Sequence, residues 1–277
     1  MTVLVTAASG TTGSRLARRL EAHGTPVRRA GRSARADVRF DWADPATHRP
    51  ALTDVDGVYL VLPPGVADPM PVVAPFLAEA RRCRVRRMVL LGSSAVPLGG
   101  PGLGAAGASL AAHVPEWAVL RPSWFASNFV LDHLHADSVR RHDEIVSATG
   151  DGRVPFIDPD DIAAVAARFL TGAVPAGRDV VLTGPAPLSF DDVAAMLSGV
   201  TGRRIRHRRV SPAELSARHR RRGIPAPFAD LLAALDEAIA GGAEDRTTTT
   251  VQDITGTPPR SFADFLLGLP AETRARL

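Results

Sequence analysis

A chain of 277 residues, 45% of them hydrophobic, is long enough to bury one large core or a domain with an added lobe. Its formal net charge is +4 and all 33 basic residues are arginine, so the pI near 10.6 reflects the arginine pKa rather than a nucleic-acid-binding surface. The single cysteine, Cys83, excludes an internal disulfide framework. With no signal-peptide pattern and no apolar run near the roughly 20 residues that cross a bilayer, a cytoplasmic chain with no membrane or nucleic-acid partner is expected.

Val3-Leu4-Val5 is a short apolar strand, and Thr6-Ala7-Ala8-Ser9-Gly10-Thr11-Thr12-Gly13 leads from it into a helix over 14–21. A strand, a small-residue turn and a helix in that order predict a phosphate-binding corner. The N–H groups of a helix start are unpaired, and the helix dipole is positive there. Gly10 and Gly13 take the second and third positions of a G-x-x-G-x-x-G spacing and Ala7 the first, where alanine is expected to keep a negative φ. Thr6, Ala8, Ser9, Gly10, Thr11, Thr12 and Gly13 are the predicted contacts, with hydroxyls from Ser9, Thr11 and Thr12 available to phosphate oxygens.

Residues 25–32 and 37–42 read as the next two strands and 45–52 as a short helix. Residues 57–62 are an unbroken apolar strand stopped by Pro63-Pro64, the pattern of a strand covered on both faces. A helix over 72–84 carries Cys83, with its thiol read as inert. A strand over 87–91 ends at Gly92-Ser93-Ser94. Strands over 117–121 and 179–183 flank a helix over 160–170 that starts on acidic residues. Alternation at this spacing predicts an α/β fold with a doubly wound parallel Rossmann sheet, whose ligands lie beyond the carboxyl ends of its strands. From residue 189 the alternation breaks. Helices over 189–199, 211 onward, 227–240 and 261–267, with a strand over 205–210, predict a smaller, mostly helical substrate lobe. The arginine-rich runs 203–209 and 218–222 hold no interleaved aromatics and read as solvated faces.

NAD-binding folds place an acid about twenty residues beyond the glycine loop, to accept from the ribose 2′-hydroxyl. Here the second strand ends at Gly31-Arg32-Ser33, with no acid. A guanidinium and a hydroxyl attract a 2′-phosphate that a carboxylate would repel. NADP(H) is therefore the expected cofactor, with Arg32 as the main contact and Ser33 assisting. Asp41 and Trp42 follow the third strand as candidates to border the adenine, with plain burial the alternative for Trp42. Leu62, Pro63 and Pro64 follow the fourth strand as further candidate cofactor contacts. The predicted division is 1–122 with 159–185 for the NADP-binding domain and 123–158 with 186–277 for the lobe.

Several longer motifs carry a resemblance. They are the Thr6 to Gly13 loop, Gly57-Val58-Tyr59-Leu60-Val61-Leu62-Pro63-Pro64, and Leu120-Arg121-Pro122-Ser123-Trp124-Phe125-Ala126-Ser127-Asn128-Phe129. Gly150-Asp151-Gly152-Arg153-Val154-Pro155-Phe156-Ile157-Asp158, Leu182-Thr183-Gly184-Pro185 and Thr255-Gly256-Thr257-Pro258-Pro259-Arg260-Ser261-Phe262 complete the set. Over nearly its whole length the chain resembles the NmrA-like group of atypical short-chain dehydrogenases/reductases. That group includes quinone reductases, reductases of cyclic imines in ergot-type alkaloid pathways, and regulators that bind cofactor without turnover. The resemblance implies that Ser93 or Ser94 orients substrate at the nicotinamide end, the alternative being that both serines only turn the chain. It also implies that Trp124, Phe125 and Asn128 form the pocket wall, which would suit a flat conjugated substrate, with ordinary core packing the alternative for the two aromatics.

Ordinary short-chain dehydrogenases use a Tyr-x-x-x-Lys pair, and composition excludes it here. The chain has no lysine, and its only tyrosine, Tyr59, lies inside a strand. Residues 99–109, where the pair would stand, are Gly/Ala-rich and carry no ionisable side chain. His113, His133 and His135 are the nearby alternatives for proton transfer, each expected to be a surface or helix-facing residue. No Cys/His cluster has metal-ligand spacing, and no Gly-x-Ser-x-Gly elbow is present. The expectation is an NADPH-dependent reductase, monomeric or homodimeric, acting on a small cyclic imine, iminium or quinone. The alternatives are a catalytically silent NADP(H)-binding sensor and a non-redox pathway enzyme on the same fold.

Overall fold

The structure, a computed structural model, describes residues 1–66 and 68–277. In chain order it begins with β1 (Val3–Val5), α1 (Gly13–Ala22), β2 (Val27–Gly31), β3 (Val38–Arg39), α2 (His48–Leu52), β4 (Gly57–Leu60), α3 (Met70–Arg82), β5 (Arg87–Leu91), α4 (Leu103–Ser109) and β6 (Glu116–Pro122). Next come α5 (Leu134–His142), β7 (Glu144–Ser147), β8 (Arg153–Val154), α6 (Pro159–Leu170) and β9 (Arg178–Leu182). The chain ends with β10 (Leu188–Ser189), α7 (Phe190–Thr201), β11 (Arg206–Arg209), α8 (Pro212–Arg221), α9 (Ala226–Ala240), α10 (Thr250–Thr255), α11 (Phe262–Leu267) and α12 (Ala271–Ala275).

The chain divides into two compact units. Unit 1 holds residues 1–122, 159–182 and 250–257, and unit 2 holds the rest. Unit 1 is a seven-stranded sheet in the order β3-β2-β1-β4-β5-β6-β9, parallel throughout. The order reverses between β1 and β4, which opens a crevice at their carboxyl ends. Every residue of β1 and β4 is buried, as strands covered on both faces require. Leu16 and Leu20 of α1 and Phe76 and Leu77 of α3 are essentially without exposed surface.

Two strands are shorter than the stretches the sequence assigns to them. Beyond Leu60, the Val61 N–H donates to the Thr6 hydroxyl (2.8 Å) instead of continuing the ladder. The third strand stops at Arg39, and Phe40 turns inward against Phe76 (ring centroids 5.5 Å). The Gly/Ala-rich stretch forms α4, and its glycines explain the composition. A Cβ at Gly104 would clash with the Pro97 carbonyl oxygen, so only a bare backbone packs there, and one at Gly107 would crowd Leu98 (3.0 Å) and Val119 (3.2 Å). Residues 250–257 belong to unit 1 rather than to the lobe: Val251 and Ile254 are buried, and Arg168 donates to the Ile254 carbonyl (3.2 Å). Residues 183–185 belong to unit 2.

Unit 2 carries two small sheets among its helices. β7 and β11 pair in parallel, with Glu144 opposite Arg206, and β8 and β10 pair antiparallel. Phe129, Phe156, Phe190 and Phe262 form an aromatic centre, with Phe129 meeting each of the other rings edge-on at 5.2–5.8 Å. The arginine-rich runs are laced with acids. Arg203 pairs with Asp143, Arg208 with Glu144 and Glu214, Arg209 with Asp151 and Asp191, Arg220 with Asp230, and Arg222 with Asp137.

Candidate active site

The corner after β1 is built around one carbonyl. Ala7 sits at φ +49°, in the left-handed region, not at the negative φ expected of alanine. That twist turns its C=O back under the turn, where it accepts from the Gly10 N–H (2.8 Å). A Cβ at Gly13 would lie 3.0 Å from the Ala7 carbonyl carbon and closer still to its oxygen, so Gly13 is fixed by close approach. The N–H groups of Thr11, Thr12 and Gly13 have no acceptor among the described residues. No side chain caps α1, and no acid lies in its first turn. Unpaired donors at a helix start, next to exposed Ser9, fit an anionic pyrophosphate.

Two hydroxyls of the loop face inward. Thr6, 1% exposed, donates to the Tyr59 carbonyl (3.0 Å) and accepts from Val61. Thr12 accepts from the Tyr59 hydroxyl (3.0 Å). Burial raises the Tyr59 phenol far above its ordinary pKa, with the Thr12 contact opposing weakly. The only tyrosine is thus a strut between β4 and the corner, unable to exchange protons near neutral pH.

At the end of β2, Arg32 and Ser33 are exposed, and Arg32 has no ion-pair or hydrogen-bond partner among the described residues. Arg35, three residues on in the same loop, is equally free. The other arginines of this edge are held: Arg28 by the Ala51 and Thr53 carbonyls, Arg29 by Glu21 and Asp37, and Arg39 by Asp44. In an arginine-rich protein that contrast marks the loop, and the sequence reading overlooked Arg35. Asp41 accepts from the Ala43 N–H (3.0 Å), while half-buried Trp42 packs edge-on against Phe40 (5.0 Å) and Phe76 (5.3 Å). Leu62 and Pro63 are half-buried and Pro64 is exposed.

The turn after β5 is clamped by Arg121 of β6. Its guanidinium donates to the Ser93 carbonyl (3.2 Å) and the Ser94 carbonyl (2.9 Å) while pairing with Asp179 (2.9 Å). Ser93 Oγ accepts from the Ala95 N–H (3.3 Å), and Ser94 is 3% exposed. Of the two serines, only Ser93 keeps appreciable surface.

Unit 2 contains a cavity of about 90 Å³. Trp124 and Asn128 line it, but Phe125 does not; the Phe125 backbone instead bridges Ile157. His133, His135, Arg218, His219 and Asp236 also face it. His133 and His135 are half-buried and turned to the cavity rather than lying on the open surface. Burial lowers the His133 pKa to about 4, helped by nearby His219 and opposed by a hydrogen bond to the Asn128 backbone. His135 stacks on Phe129 (5.2 Å), and burial holds its pKa well below the ordinary value. His219 is also lowered by burial, then by Arg222 and Arg218, and its buried Nδ1 has no partner. Asp236 was missed in the sequence because it stands within the polar spacing of an amphipathic helix. Burial raises its pKa to about 6, against the pull of the Ala148 N–H on Oδ2 (2.8 Å). Among the described residues no group of three His, Cys, Asp or Glu is placed to hold a metal ion.

A second constellation has the connectivity of a hydrolytic triad. Asp191 meets His207 Nδ1 (3.2 Å), and His207 Nε2 meets Ser147 Oγ (2.7 Å), which also contacts Thr149 (2.7 Å). Ser147 and Thr149 have no exposed surface, so no acyl group reaches the hydroxyl, and the chain serves to tie β7 to β11.

No family model matches the chain. It is 43% identical over 268 residues to the uncharacterised oxidoreductase YesF of Bacillus subtilis, covering 95% of this chain and 93% of that protein. It is 40% identical over 279 residues to agroclavine dehydrogenase of Claviceps fusiformis, covering 96% of each. Among solved structures, the NADPH complex of the quinone oxidoreductase QOR2 from Escherichia coli superposes with a TM-score of 0.74 at 22% identity, over 96% of this chain and 98% of that one. With relatives of this identity along almost the full length, the chain belongs to the NmrA-like group of atypical short-chain dehydrogenases/reductases and is an NAD(P)-dependent oxidoreductase that binds a nicotinamide cofactor.

Proposed function

We propose that this protein is an NADPH-dependent reductase that acts on a small conjugated acceptor, a cyclic imine, iminium or quinone, without a Tyr–Lys pair. The observation that carries the reading is the unit 2 cavity, where Trp124 and Asn128 combine a flat apolar wall with an amide. Thr11, Thr12 and Gly13 would hold the pyrophosphate through their N–H groups, and Arg32 with Ser33 would hold the 2′-phosphate. Ser93, positioned by the Arg121 clamp, would orient the carboxamide or the substrate. A bound reduced nicotinamide supplies the hydride. The protein's work is to position the acceptor and to set the charge around it. The agroclavine and festuclavine dehydrogenases among its relatives support a redox reaction on a small molecule. The lone, half-buried Cys83 suits a cytoplasmic setting.

NADPH oxidation, followed by loss of near-UV absorbance against a panel of imines and quinones, tests the reading. Turnover with at least one acceptor class is expected. Tight NADPH binding with no turnover across the panel would favour the sensor instead. Arg32→Ala should lower NADP affinity relative to NAD at least tenfold in direct binding, as loss of a charge-assisted phosphate contact implies. An unchanged ratio would show that Arg32 does not read the 2′-phosphate.

A further inference from the structure

Chemistry on a neutral acceptor leaves one requirement unmet. Hydride addition to a quinone or enone carbon sends an electron pair onto oxygen, and that oxygen needs a proton. The chain has no lysine, Tyr59 is sealed, and the cavity histidines are held neutral by burial. One carboxyl faces the cavity with half its hydrogen-bonding capacity free. Asp236, 8% exposed on α9, has Oδ2 fixed by the Ala148 N–H (2.8 Å), and Oδ1 has no hydrogen-bond partner among the described residues. The fixed oxygen sets the plane of the carboxyl, so the free one has a defined direction.

Resting on the reductase reading, we propose that Asp236 is the proton donor for neutral acceptors bound beside Trp124 and Asn128. The step balances. A reduced nicotinamide, when bound, would supply the two electrons as hydride and be oxidised, and the acceptor carbon would gain the C–H bond. The acceptor's displaced electron pair on oxygen takes the Asp236 proton, an O–H bond forms, and the carboxylate left behind recovers its proton from solvent. A cationic iminium acceptor requires no such proton, because hydride addition neutralises it.

The surroundings of Asp236 suit this role. Burial is the main influence on its proton, which it holds up to about pH 6. From α8, Arg218, His219 and Arg222 line the same cavity, and Arg222 is paired with Asp137 (3.3 Å). His133 and His135 come from the start of α5. From β7 only Val146 lines it, and Arg153 of β8 turns to the Pro187 carbonyl and Asp192. Among the described residues no carboxylate other than Asp236 lines the cavity. Burial favours the acid before transfer, and the Ala148 N–H on Oδ2 favours the carboxylate formed after it.

The test compares wild type with Asp236→Asn, which keeps the shape and an acceptor for the Ala148 N–H. With menadione as neutral acceptor, wild-type kcat should rise as pH falls through about 6, while an N-methyl dihydroisoquinolinium salt should show no such limb. Asp236→Asn should lose the limb and at least tenfold in kcat on menadione, with KM nearly unchanged, as loss of a general acid implies. In cofactor-free protein, 13C NMR should show the Asp236 carboxyl titrating near 6. Menadione turnover unchanged in Asp236→Asn, or a carboxyl titrating in the ordinary aspartate range, would overturn the donor role alone. NADPH oxidation with neither acceptor would overturn the reductase reading and the donor with it.

Discussion

At the scale of single residues, the corner depends on the backbone of Ala7. A left-handed alanine costs roughly 1–2 kcal/mol, and the turn accepts this because the Ala7 carbonyl must meet the Gly10 N–H. Ala7→Gly removes the strain but adds freedom to the unfolded chain, an offset of about 0.5–1 kcal/mol. It should therefore leave stability unchanged or raise it by up to about 1.5 kcal/mol in urea titration; a clear loss would contradict the observed φ. Gly13→Ala should do the opposite. Its Cβ meets main chain that cannot swing away, so a loss of about 2 kcal/mol is expected, together with loss of NADPH binding by calorimetry. Tyr59→Phe separates this protein from Tyr–Lys enzymes. Deleting the hydroxyl removes one buried hydrogen bond to Thr12, worth about 1 kcal/mol, and should leave turnover intact. A collapse of kcat in a variant that still folds would restore the tyrosine to catalysis.

Among the elements, what was legible in the sequence depended on how local the signal was. β5 runs from Arg87 to Leu91 as its apolar run predicts, because a covered parallel strand advertises itself residue by residue. α7 and α8 begin directly after Ser189 and Ser211, the caps the sequence predicts, since capping is settled within four residues. β7 and α4 were not legible. β7 is four residues long and paired with a strand some sixty residues away, and α4 depends on Pro97, Leu98 and Val119 lying against its glycines. The cavity was legible in part for the same reason. Trp124 and Asn128 stand in one motif, whereas Asp236 and His219 join them only through the packing of α9 on α8. The α7 cap supplies a further test. Ser189 and Asp192 exchange hydrogen bonds reciprocally, which holds the Asp192 carboxyl below its ordinary pKa. That stabilisation is present above the unfolded pKa of 3.8 and is lost as pH falls through the lower folded value. Asp192→Ala should cost about 1 kcal/mol at pH 7 in urea and less near pH 3. An equal cost at both would place its effect outside the cap.

For the molecule as a whole, the two units should respond differently to acid. Four histidines of unit 2, His133, His135, His207 and His219, are held neutral mainly by burial, against one in unit 1, His48. A histidine with a depressed folded pKa gives stability that is present above its unfolded value of 6.5 and is lost as pH falls below it, because only the unfolded chain takes up the proton. For His133, a shift from 6.5 to about 4 corresponds to about 3 kcal/mol. Asp236 works the other way. Its folded pKa of about 6 lies above the unfolded 3.8, so its contribution is full below 3.8 and is lost as pH rises through 6. On acidification from pH 7 to pH 4.5 it therefore offsets one histidine of similar magnitude, and the other three decide the sign. Unit 2 should lose stability over that range ahead of unit 1. Amide exchange corrected for its intrinsic rate should show protection falling first in α5, β7, α8 and α9 rather than in β1, β4 and β5. Removing the offset should steepen the loss, so Asp236→Asn should unfold at lower urea than wild type at pH 4.5 by a wider margin than at pH 7. A margin that narrows on acidification, or a sheet of unit 1 that opens before α9, would show that the buried histidines do not govern the acid limit of this fold.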